Sequence, residues 1–338
     1  MINPASTTVL PFLRAQSSGT APLKLAPTVA AAGSRRVGIV CNPRAHLNRG
    51  AEYEAGVAGA GSVLVAAPRT RAALADKLAE FAARGVDLLV IDGGDGTVRD
   101  VLSCAGDIWS GHWPQIVVIP SGKTNALALD LGLPQGWTLE DALGALGRGR
   151  VERRRPVEIV RGEDGARLRG FLFGAGAFVS ATELAQHTHR AGAFNGVAVG
   201  LALGGAVLQT LFGPATGSWR AGTPMRLSLA GQDPETRARY LLLASTLNRL
   251  PLRLKPFGPA RRGLKLLAID APPRRVWAAA PAIMAGADAP WLDAAGYHRV
   301  ETTGFDVTLD QGFILDGERY PGGTLSVRLG PSLSFVVP

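Results

Sequence analysis

Three glycines within five residues are the feature that most constrains this chain. Gly93-Gly94-Asp95-Gly96-Thr97 closely follows Leu88–Ile91, an apolar run that predicts a strand, and precedes Val98–Ala105, which has helical character. Glycines let the backbone approach a ligand closely, and the N–H groups at a helix N-terminus attract phosphate. We therefore predict a phosphate-binding turn here, in which Gly93, Gly94, Gly96 and Thr97 bind and Asp95 holds a metal or accepts a proton.

A second strand-to-helix turn has similar character. Pro120–Asn125 follows the predicted strand 116–120 and precedes the predicted helix Ala126–Leu131. Both turns are expected at one edge of a parallel sheet, where open α/β sheets bind ligands. The sequence Gly122-Lys123-Thr124 is not a P-loop, because Val117, where that motif would begin, lies inside a predicted strand. The candidate binding residues of this turn are Gly122, Lys123, Thr124 and Asn125.

The spacing of predicted elements changes near residue 150. Before it, strands alternate with helices, which predicts a parallel sheet with crossover helices. After it, strand-like runs come closer together and are interrupted by two helical or irregular stretches, 181–213 and 276–296. We therefore predict an α/β plus β protein with a flexible tail at 1–34, a nucleotide-binding α/β domain at 35–150 and a β-rich domain at 151–338.

Composition narrows the class of protein. In 338 residues, 46% are hydrophobic and 19% charged, which excludes a wholly disordered chain. Two cysteines, Cys41 and Cys104, are too few for a disulfide framework and are expected to be free thiols. The net charge of +9 fits either a compositional bias towards arginine or attraction to a polyanion, and charge alone does not decide between them. No signal peptide is predicted.

These turns belong to an ordered set of motifs that resembles a known family. The motifs are Asn42-Pro43 after the first strand, Gly93–Thr97, Pro120–Asn125 and Asp316-Gly317-Glu318 near the C-terminus. They are similar to those of the diacylglycerol kinase catalytic superfamily of lipid kinases, which includes sphingosine and ceramide kinases. The resemblance extends from Val37 to the end of the chain. It implies a Rossmann-like α/β domain of the NAD kinase/phosphofructokinase-like kind, and a sandwich-like β domain that takes the lipid and packs its last strands back near the cleft.

The resemblance also implies roles for individual residues. ATP and Mg²⁺ would be the cofactors, with Asn42 on the nucleotide side, the glycine turns on the phosphates and Lys123 offsetting charge. Asp95 and Glu318 are the catalytic candidates, and either could be the base for the acceptor hydroxyl. Asp95 and Asp316 are the candidate metal ligands.

Some positions depart from the family pattern. The family's threonine in this turn is either displaced or replaced by Lys123, and Ala126 stands where an aspartate is frequent. Arg261-Arg262 precede Gly263 where bacterial diacylglycerol kinases often have an acidic pair for a structural metal. The acceptor therefore stays open between diacylglycerol and ceramide or a related sphingoid lipid.

Two apolar stretches suggest contact with lipid. Ala191–Trp219 has no charged residue, and an acyl-chain cleft, a membrane-dipping helix, a membrane span and plain core are all compatible with it. Val276–Leu292 has tryptophans near its ends, which suits a membrane interface. The nearby cations are Arg253, Lys255, Arg261, Arg262, Arg274 and Arg275. We expect a cytoplasmic protein, peripheral to the membrane, whose partners are its lipid substrate and an anionic membrane surface.

Other functions have weaker support. The basic charge comes without a nucleic-acid-reading motif, so no nucleic-acid partner is expected. His187 and His189 lack further ligands for zinc. An NAD kinase shares Gly-Gly-Asp-Gly-Thr and remains one alternative. A non-catalytic nucleotide or lipid sensor with the same fold is the other, and the sequence leaves the oligomeric state open.

Overall fold

The computed structural model describes residues 35–45, 56–58, 61–106, 108–109, 111–146, 149–190, 218–229, 232–259 and 263–338. The predicted tail 1–34, the pair Arg261-Arg262 and all but the last two residues of the stretch 191–219 lie outside these ranges. The chain divides into two compact units between Arg154 and Arg155, and Ser332–Pro338 returns to the first unit.

The first unit is built on a mainly parallel sheet. Its strands are β1 (Val37–Cys41), β2 (Gly56–Ala58), β3 (Gly61–Ala66), β4 (Leu88–Gly93), β5 (Gln115–Pro120), β6 (Arg150–Arg154) and the last strand of the chain, β18 (Leu333–Val337). Its helices are α1 (Arg71–Ala83), α2 (Asp95–Ala105), α3 (Ala126–Leu131) and α4 (Leu139–Ala145). The strand order among these described residues is β2-β3-β1-β4-β5-β18-β6, and only the two edge strands, β2 and β6, pair antiparallel.

The local sequence explains these elements. All residues of β1 and β4 are buried, as expected for central parallel strands covered on both faces. Helix α1 begins after Thr70, whose Oγ1 accepts a hydrogen bond from the Ala73 N–H at 3.1 Å. Its buried residues, Leu74, Leu78 and Phe81, recur at helical spacing. The predicted alternation of strands and helices is therefore confirmed for this unit.

The second unit is mostly antiparallel β structure. Its strands are β7 (Val157–Arg161), β8 (Arg167–Gly170), β9 (Leu172–Gly176), β10 (Thr223–Leu229), β11 (Glu235–Ser245), β12 (Leu264–Asp270), β13 (Tyr297–Thr302), β14 (Gly304–Leu309), β15 (Phe313–Leu315), β16 (Glu318–Tyr320) and β17 (Gly323–Leu329). Its helices are α5 (Ala177–Arg190), α6 (Val276–Ala285) and α7 (Pro290–Ala294). The α/β plus β layout predicted from the sequence is thus present.

The long strand β11 connects two parts of this sheet. Its first half pairs with β10, which leads on through β14, β17 and β7 to β8. The second half of β11 pairs with β9 on one side and with β12 on the other. The two parts share one core, in which Phe173 lies 6.0 Å from Phe305 and 5.5 Å from Phe313 between ring centroids. Burial of these large rings contributes to the stability of the unit.

The structure corrects the predicted domain boundary. Residues 151–154 and 332–338 were predicted in the second domain, but they belong to the first unit, where β18 pairs with both β5 and β6. An apolar alternating run predicts that a strand forms, but not which sheet it joins. Three strands of the second unit were not predicted. The sequence of β13 mixes polar and apolar residues without clear alternation, and β15 and β16 have only three residues each, too few to show a period. Among the described residues, no helix combines the length and apolar character needed to cross a bilayer.

Candidate active site

The two glycine turns lie against each other at the carboxyl ends of adjacent strands. Gly93 at the end of β4 is paired with Pro120 at the end of β5, and the Ser121 N–H donates to the Gly93 carbonyl at 3.2 Å. A Cβ atom added to Gly122 would lie 2.4 Å from the Gly94 Cα, and one added to Gly94 would lie 2.9 Å from the Gly122 Cα. These distances are below van der Waals contact, so the close approach of the turns requires glycine at both positions.

Asn42 joins the end of β1 to the first turn of α2. Its N–H donates to the Asp92 carbonyl at 2.9 Å, and its Nδ2 donates to the Thr97 Oγ1 at 3.1 Å. Its Oδ1 accepts from the Arg44 N–H at 3.0 Å. Gly93 leaves room for this contact, since a Cβ there would lie 2.3 Å from the Thr97 Oγ1. The predicted binding residues Asn42, Gly93 and Thr97 are thus brought together.

A buried carboxylate that the sequence analysis did not single out anchors this edge. Asp92 is buried, and its Oδ1 accepts a 2.5 Å hydrogen bond from the Ser121 hydroxyl. Its Oδ2 lies 3.9 Å from the Cys41 Sγ. Burial, followed by the charge of Asp92, raises the pKa of the Cys41 thiol. Asp92 therefore links the ends of β1, β4 and β5. The one feature of the sequence that could have indicated this role is an acidic residue at the end of an apolar strand.

Asp95 connects the first glycine turn to helix α3, which follows the second glycine turn. Its Oδ2 accepts from the Ala126 N–H at 2.9 Å, and its Oδ1 accepts from the Leu127 N–H at 3.1 Å. Burial raises the pKa of Asp95, and these backbone donors and the charge of Arg99 only partly counteract it. Each carboxylate oxygen keeps further lone-pair capacity, so Asp95 can hold helix α3 and still accept another proton or donor.

Asn125 shapes the second turn from within. Its backbone φ of 50° lies in the left-handed region, which asparagine tolerates better than most residues. Its Oδ1 accepts from the Gly122 N–H at 3.0 Å, and its Nδ2 donates to the carbonyls of Pro120 at 3.1 Å and Gly122 at 2.9 Å. Lys123 and Thr124 are exposed between these contacts. The turn therefore presents Lys123 and Thr124 on a loop fixed by Asn125.

A buried ionic cluster supports helix α2. The Asp100 Oδ1 accepts from the Nη2 atoms of Arg71 and Arg99, each at 3.0 Å. Arg99 is also close to the first helical turn, since a Cβ on Gly96 would lie 3.7 Å from its Nη2. The positive end of the helix dipole and this guanidinium favour an anion at the Gly93–Thr97 turn. The glycine motif does not indicate this cluster, because the charged residues lie beyond it.

Asp316 and Glu318 belong to the second unit. Asp316 lies in the turn between β15 and β16, and Glu318 is the first residue of β16. Both Asp316 oxygens lie 3.0 Å from the Phe171 nitrogen, and its Oδ1 accepts from the Leu172 N–H at 2.8 Å. Asp316 thus fastens its turn to the beginning of β9.

Comparison with known proteins supports the family resemblance. Residues 36–159 match the family model of the diacylglycerol kinase catalytic domain, a range that includes Asn42 and both glycine turns. No protein in the curated set matches the chain. The predicted resemblance to the diacylglycerol kinase catalytic superfamily is therefore confirmed.

Solved structures from Bacillus anthracis str. Sterne have a similar fold. The crystal structure of a diacylglycerol kinase is 14% identical with a TM-score of 0.58. Another, of a provisionally assigned diacylglycerol kinase, is 16% identical with a TM-score of 0.62. Each match covers 90% of this chain and 97% of the other. At these identities the likeness establishes the shared fold.

Proposed function

We propose that this protein is an ATP-dependent lipid kinase. It would transfer the γ-phosphoryl group of ATP to a hydroxyl of a membrane lipid, either diacylglycerol or ceramide or another sphingoid lipid. One observation supports this most strongly. The range matched to the diacylglycerol kinase catalytic domain contains two glycine turns, and the fold packs them backbone against backbone at one sheet edge. The first unit would be the Rossmann-like nucleotide domain, of the NAD kinase/phosphofructokinase-like kind, and the second a sandwich-like lipid-acceptor domain.

The first unit has the groups needed to bind a triphosphate. Phosphoryl transfer depends mainly on positioning and charge stabilisation. The N–H groups at the start of α2 would bind phosphate oxygens, with the Arg99 guanidinium beneath Gly96 adding positive potential. Lys123 is exposed on the second turn and would offset charge on the transferred group. Asn42 would lie on the nucleotide side.

Asp95 is the proposed base. One of its carboxylate oxygens would take the proton of the acceptor hydroxyl as the hydroxyl oxygen attacks the γ-phosphorus, while the bond from that phosphorus to the β,γ-bridging oxygen breaks and ADP leaves. Because burial raises its pKa, Asp95 is a stronger base than an exposed aspartate would be. Its hydrogen bonds to Ala126 and Leu127 would hold the carboxylate in place during the transfer. Glu318 is the alternative base, or would orient the hydroxyl.

The described side chains do not form a ready-made magnesium site. Both predicted ligands, Asp95 and Asp316, direct their oxygens at backbone N–H groups. No cluster of three or more histidine, cysteine, aspartate or glutamate residues suits a metal within the described ranges. Magnesium in kinase sites usually keeps several waters and is bound by substrate phosphates together with only one or two carboxylates. We therefore propose that Mg²⁺ enters bound to ATP.

A transfer assay tests this function. Purified protein is incubated with labelled ATP, Mg²⁺ and mixed micelles of diacylglycerol, ceramide, sphingosine or phosphatidylglycerol, with NAD in a separate reaction. The Asp95→Asn variant is compared with Asp76→Asn, which removes an exposed carboxylate from helix α1. Label in one lipid, lost with Asp95→Asn and kept with Asp76→Asn, would establish a lipid kinase and identify its acceptor.

Other outcomes would select the alternatives. Label only in NAD would make the protein an NAD kinase. ATP binding with no transfer to any acceptor would favour a non-catalytic sensor, for which the departures at Lys123 and Ala126 would be the explanation. Either result would overturn the lipid kinase proposal.

A further inference from the structure

Helix α6 presents an apolar face to solvent. Every residue from Val276 to Ala285 is apolar. The helix buries Ala279, Ala280 and Ile283, and its exposed residues are Trp277, Ala278, Pro281 and Ala285. Trp277 is 78% exposed, the largest exposure among the large hydrophobic side chains that stand out on the described surface. A surface helix normally directs polar residues outward, so this exposed apolar face indicates a site of interaction with another apolar surface.

Cations lie at both ends of the helix. Arg274 and Arg275 immediately precede it, and both are exposed. At the other end, the Lys255 N–H donates to the Met284 carbonyl at 2.9 Å, which places exposed Lys255 beside the last turn. Leu252 and Arg253, also exposed, belong to the same loop.

Acidic residues near the helix are fewer than the cations. Asp288 is exposed just beyond the last turn. The Asp293 Oδ1 lies 2.6 Å from the His298 Nδ1, so the charge of Asp293 is partly engaged. The balance of charge around the apolar face is therefore positive.

Side chains of strand β13 hold helix α6 in place. The Tyr297 hydroxyl donates to the Arg274 carbonyl at 2.8 Å. At the other end, the Arg299 guanidinium donates to the carbonyls of Ile283 at 3.0 Å and Pro256 at 2.8 Å, and also to that of Ala287. Because both ends are fixed by side chains of β13, the exposed apolar face is part of a defined surface.

We propose that this surface, formed by residues 252–255 and 274–285 and called here the α6 surface, docks on an anionic lipid bilayer. Trp277 would enter the interfacial layer, where tryptophan is favoured, and the cations would contact lipid phosphates. The inference rests on the proposed function in one respect, because a kinase acting on membrane lipid must approach a bilayer. The new element is that the α6 surface makes this contact.

Charge favours a bilayer over a second copy of this chain. Two copies meeting through the α6 surface would bring arginine pairs and lysines close to one another, and like charges at an interface oppose association. An anionic bilayer offers both an apolar interior for Trp277 and negative headgroups for the flanking cations.

Vesicle binding without ATP tests the surface independently of catalysis. Wild-type protein is sedimented with vesicles of phosphatidylcholine alone and with vesicles that also contain phosphatidylglycerol. Each arginine near an anionic surface contributes about fivefold to partitioning, so the double variant Arg274→Gln/Arg275→Gln should bind about 30-fold more weakly. Trp277→Ala should lose at least ~10-fold. The control Arg167→Gln/Arg226→Gln removes two exposed arginines elsewhere in the unit and should change binding by less than about twofold.

Fluorescence and oligomeric state complete the test. Tryptophan emission should shift to the blue on anionic vesicles in wild-type protein and not in Trp277→Phe. Binding of the arginine double variant equal to wild type, or no preference for anionic vesicles, would overturn the proposal. A third result would also overturn the proposal: the protein does not bind vesicles, it self-associates, and Trp277→Ala abolishes that self-association. The α6 surface would then bind a second copy of the chain.

A parallel assay keeps the two proposals apart. Phosphoryl transfer in uncharged mixed micelles should survive in the α6-surface variants. Vesicle binding without transfer would reject the lipid kinase and leave the surface standing, and transfer with unaltered vesicle binding in the variants would reject only the surface.

Discussion

The contact between Gly94 and Gly122 provides a sharp test of the site. Replacing Gly122 by alanine adds a Cβ that would lie 2.4 Å from the Gly94 Cα and 2.7 Å from the Asn125 Oδ1. Ordinary carbon–carbon contact begins near 3.5 Å, so the turns must separate by about 1 Å. The neighbour is backbone, which cannot rotate away as a flexible side chain would.

Two effects of the substitution can be estimated. Overpacking of this kind costs about 1–3 kcal/mol of folding free energy. A displacement of about 1 Å in groups that position a reacting substrate can reduce turnover by about 100-fold. We therefore expect Gly122→Ala to lower the free energy of unfolding moderately and catalytic turnover severely.

Gly144→Ala is the matched control. Gly144 lies in helix α4, and a Cβ added there would have no described atom within 4 Å apart from its chain neighbours and the backbone of its own helix. Alanine is favoured over glycine inside a helix by about 0.5–1 kcal/mol, so this variant should be as stable as wild type or slightly more so. Thermal unfolding, ATP binding by calorimetry and labelled transfer to lipid are measured for both variants. Wild-type ATP affinity and turnover in folded Gly122→Ala would refute the assignment of the paired turns to phosphate binding.

Three further predictions concern polar groups that are buried or half-buried. Asp95→Asn should lower kcat by at least ~100-fold while the protein stays folded, and near-normal turnover would remove Asp95 from the chemistry. Asp316→Ala leaves the Phe171 N–H without its acceptor and should destabilise the second unit by about 1–3 kcal/mol, measured by urea unfolding; unchanged stability would contradict the bonding role described for it. Burial raises the pKa of Cys104 to about 11 and also raises that of Cys41, so only about a thousandth of Cys104 is thiolate at pH 8. Cys41, which is buried, should react with a thiol reagent only as fast as the protein unfolds, and half-buried Cys104 should react slowly because so little of it is thiolate. Rapid labelling of Cys41 in folded protein would be inconsistent with its burial.

The parts of the site that depend on short segments could be predicted from the sequence. The Gly93–Thr97 and Pro120–Asn125 turns were recognisable because strand, glycine turn and helix follow one another directly. Parallel pairing then required both turns to lie at one edge, and the structure has Gly93 opposite Pro120.

The contacts that fix the site could not be predicted. The hydrogen bond from Ser121 to Asp92 and the bonds from helix α3 to Asp95 depend on the exact register of β4 against β5. Hydrophobic patterns specify which face of a strand is buried, but not such a register in a fully buried parallel sheet. The resemblance implied that the last strands pack back near the cleft, but the pairing of β18 with β5 and β6 was not predicted, because the pattern of a strand does not specify which strands it pairs with.

The most direct test of the central claim is the origin of the phosphoryl group found in lipid. ATP labelled at the γ-phosphorus, or separately at the α-phosphorus, is incubated with the protein and micellar diacylglycerol or ceramide, and the lipid phase is extracted. We expect label in lipid only from the γ-position, with wild-type protein and Gly144→Ala, and at least ~100-fold less with Gly122→Ala. Absence of γ-label from every lipid, in protein that is folded and binds ATP, would contradict the account.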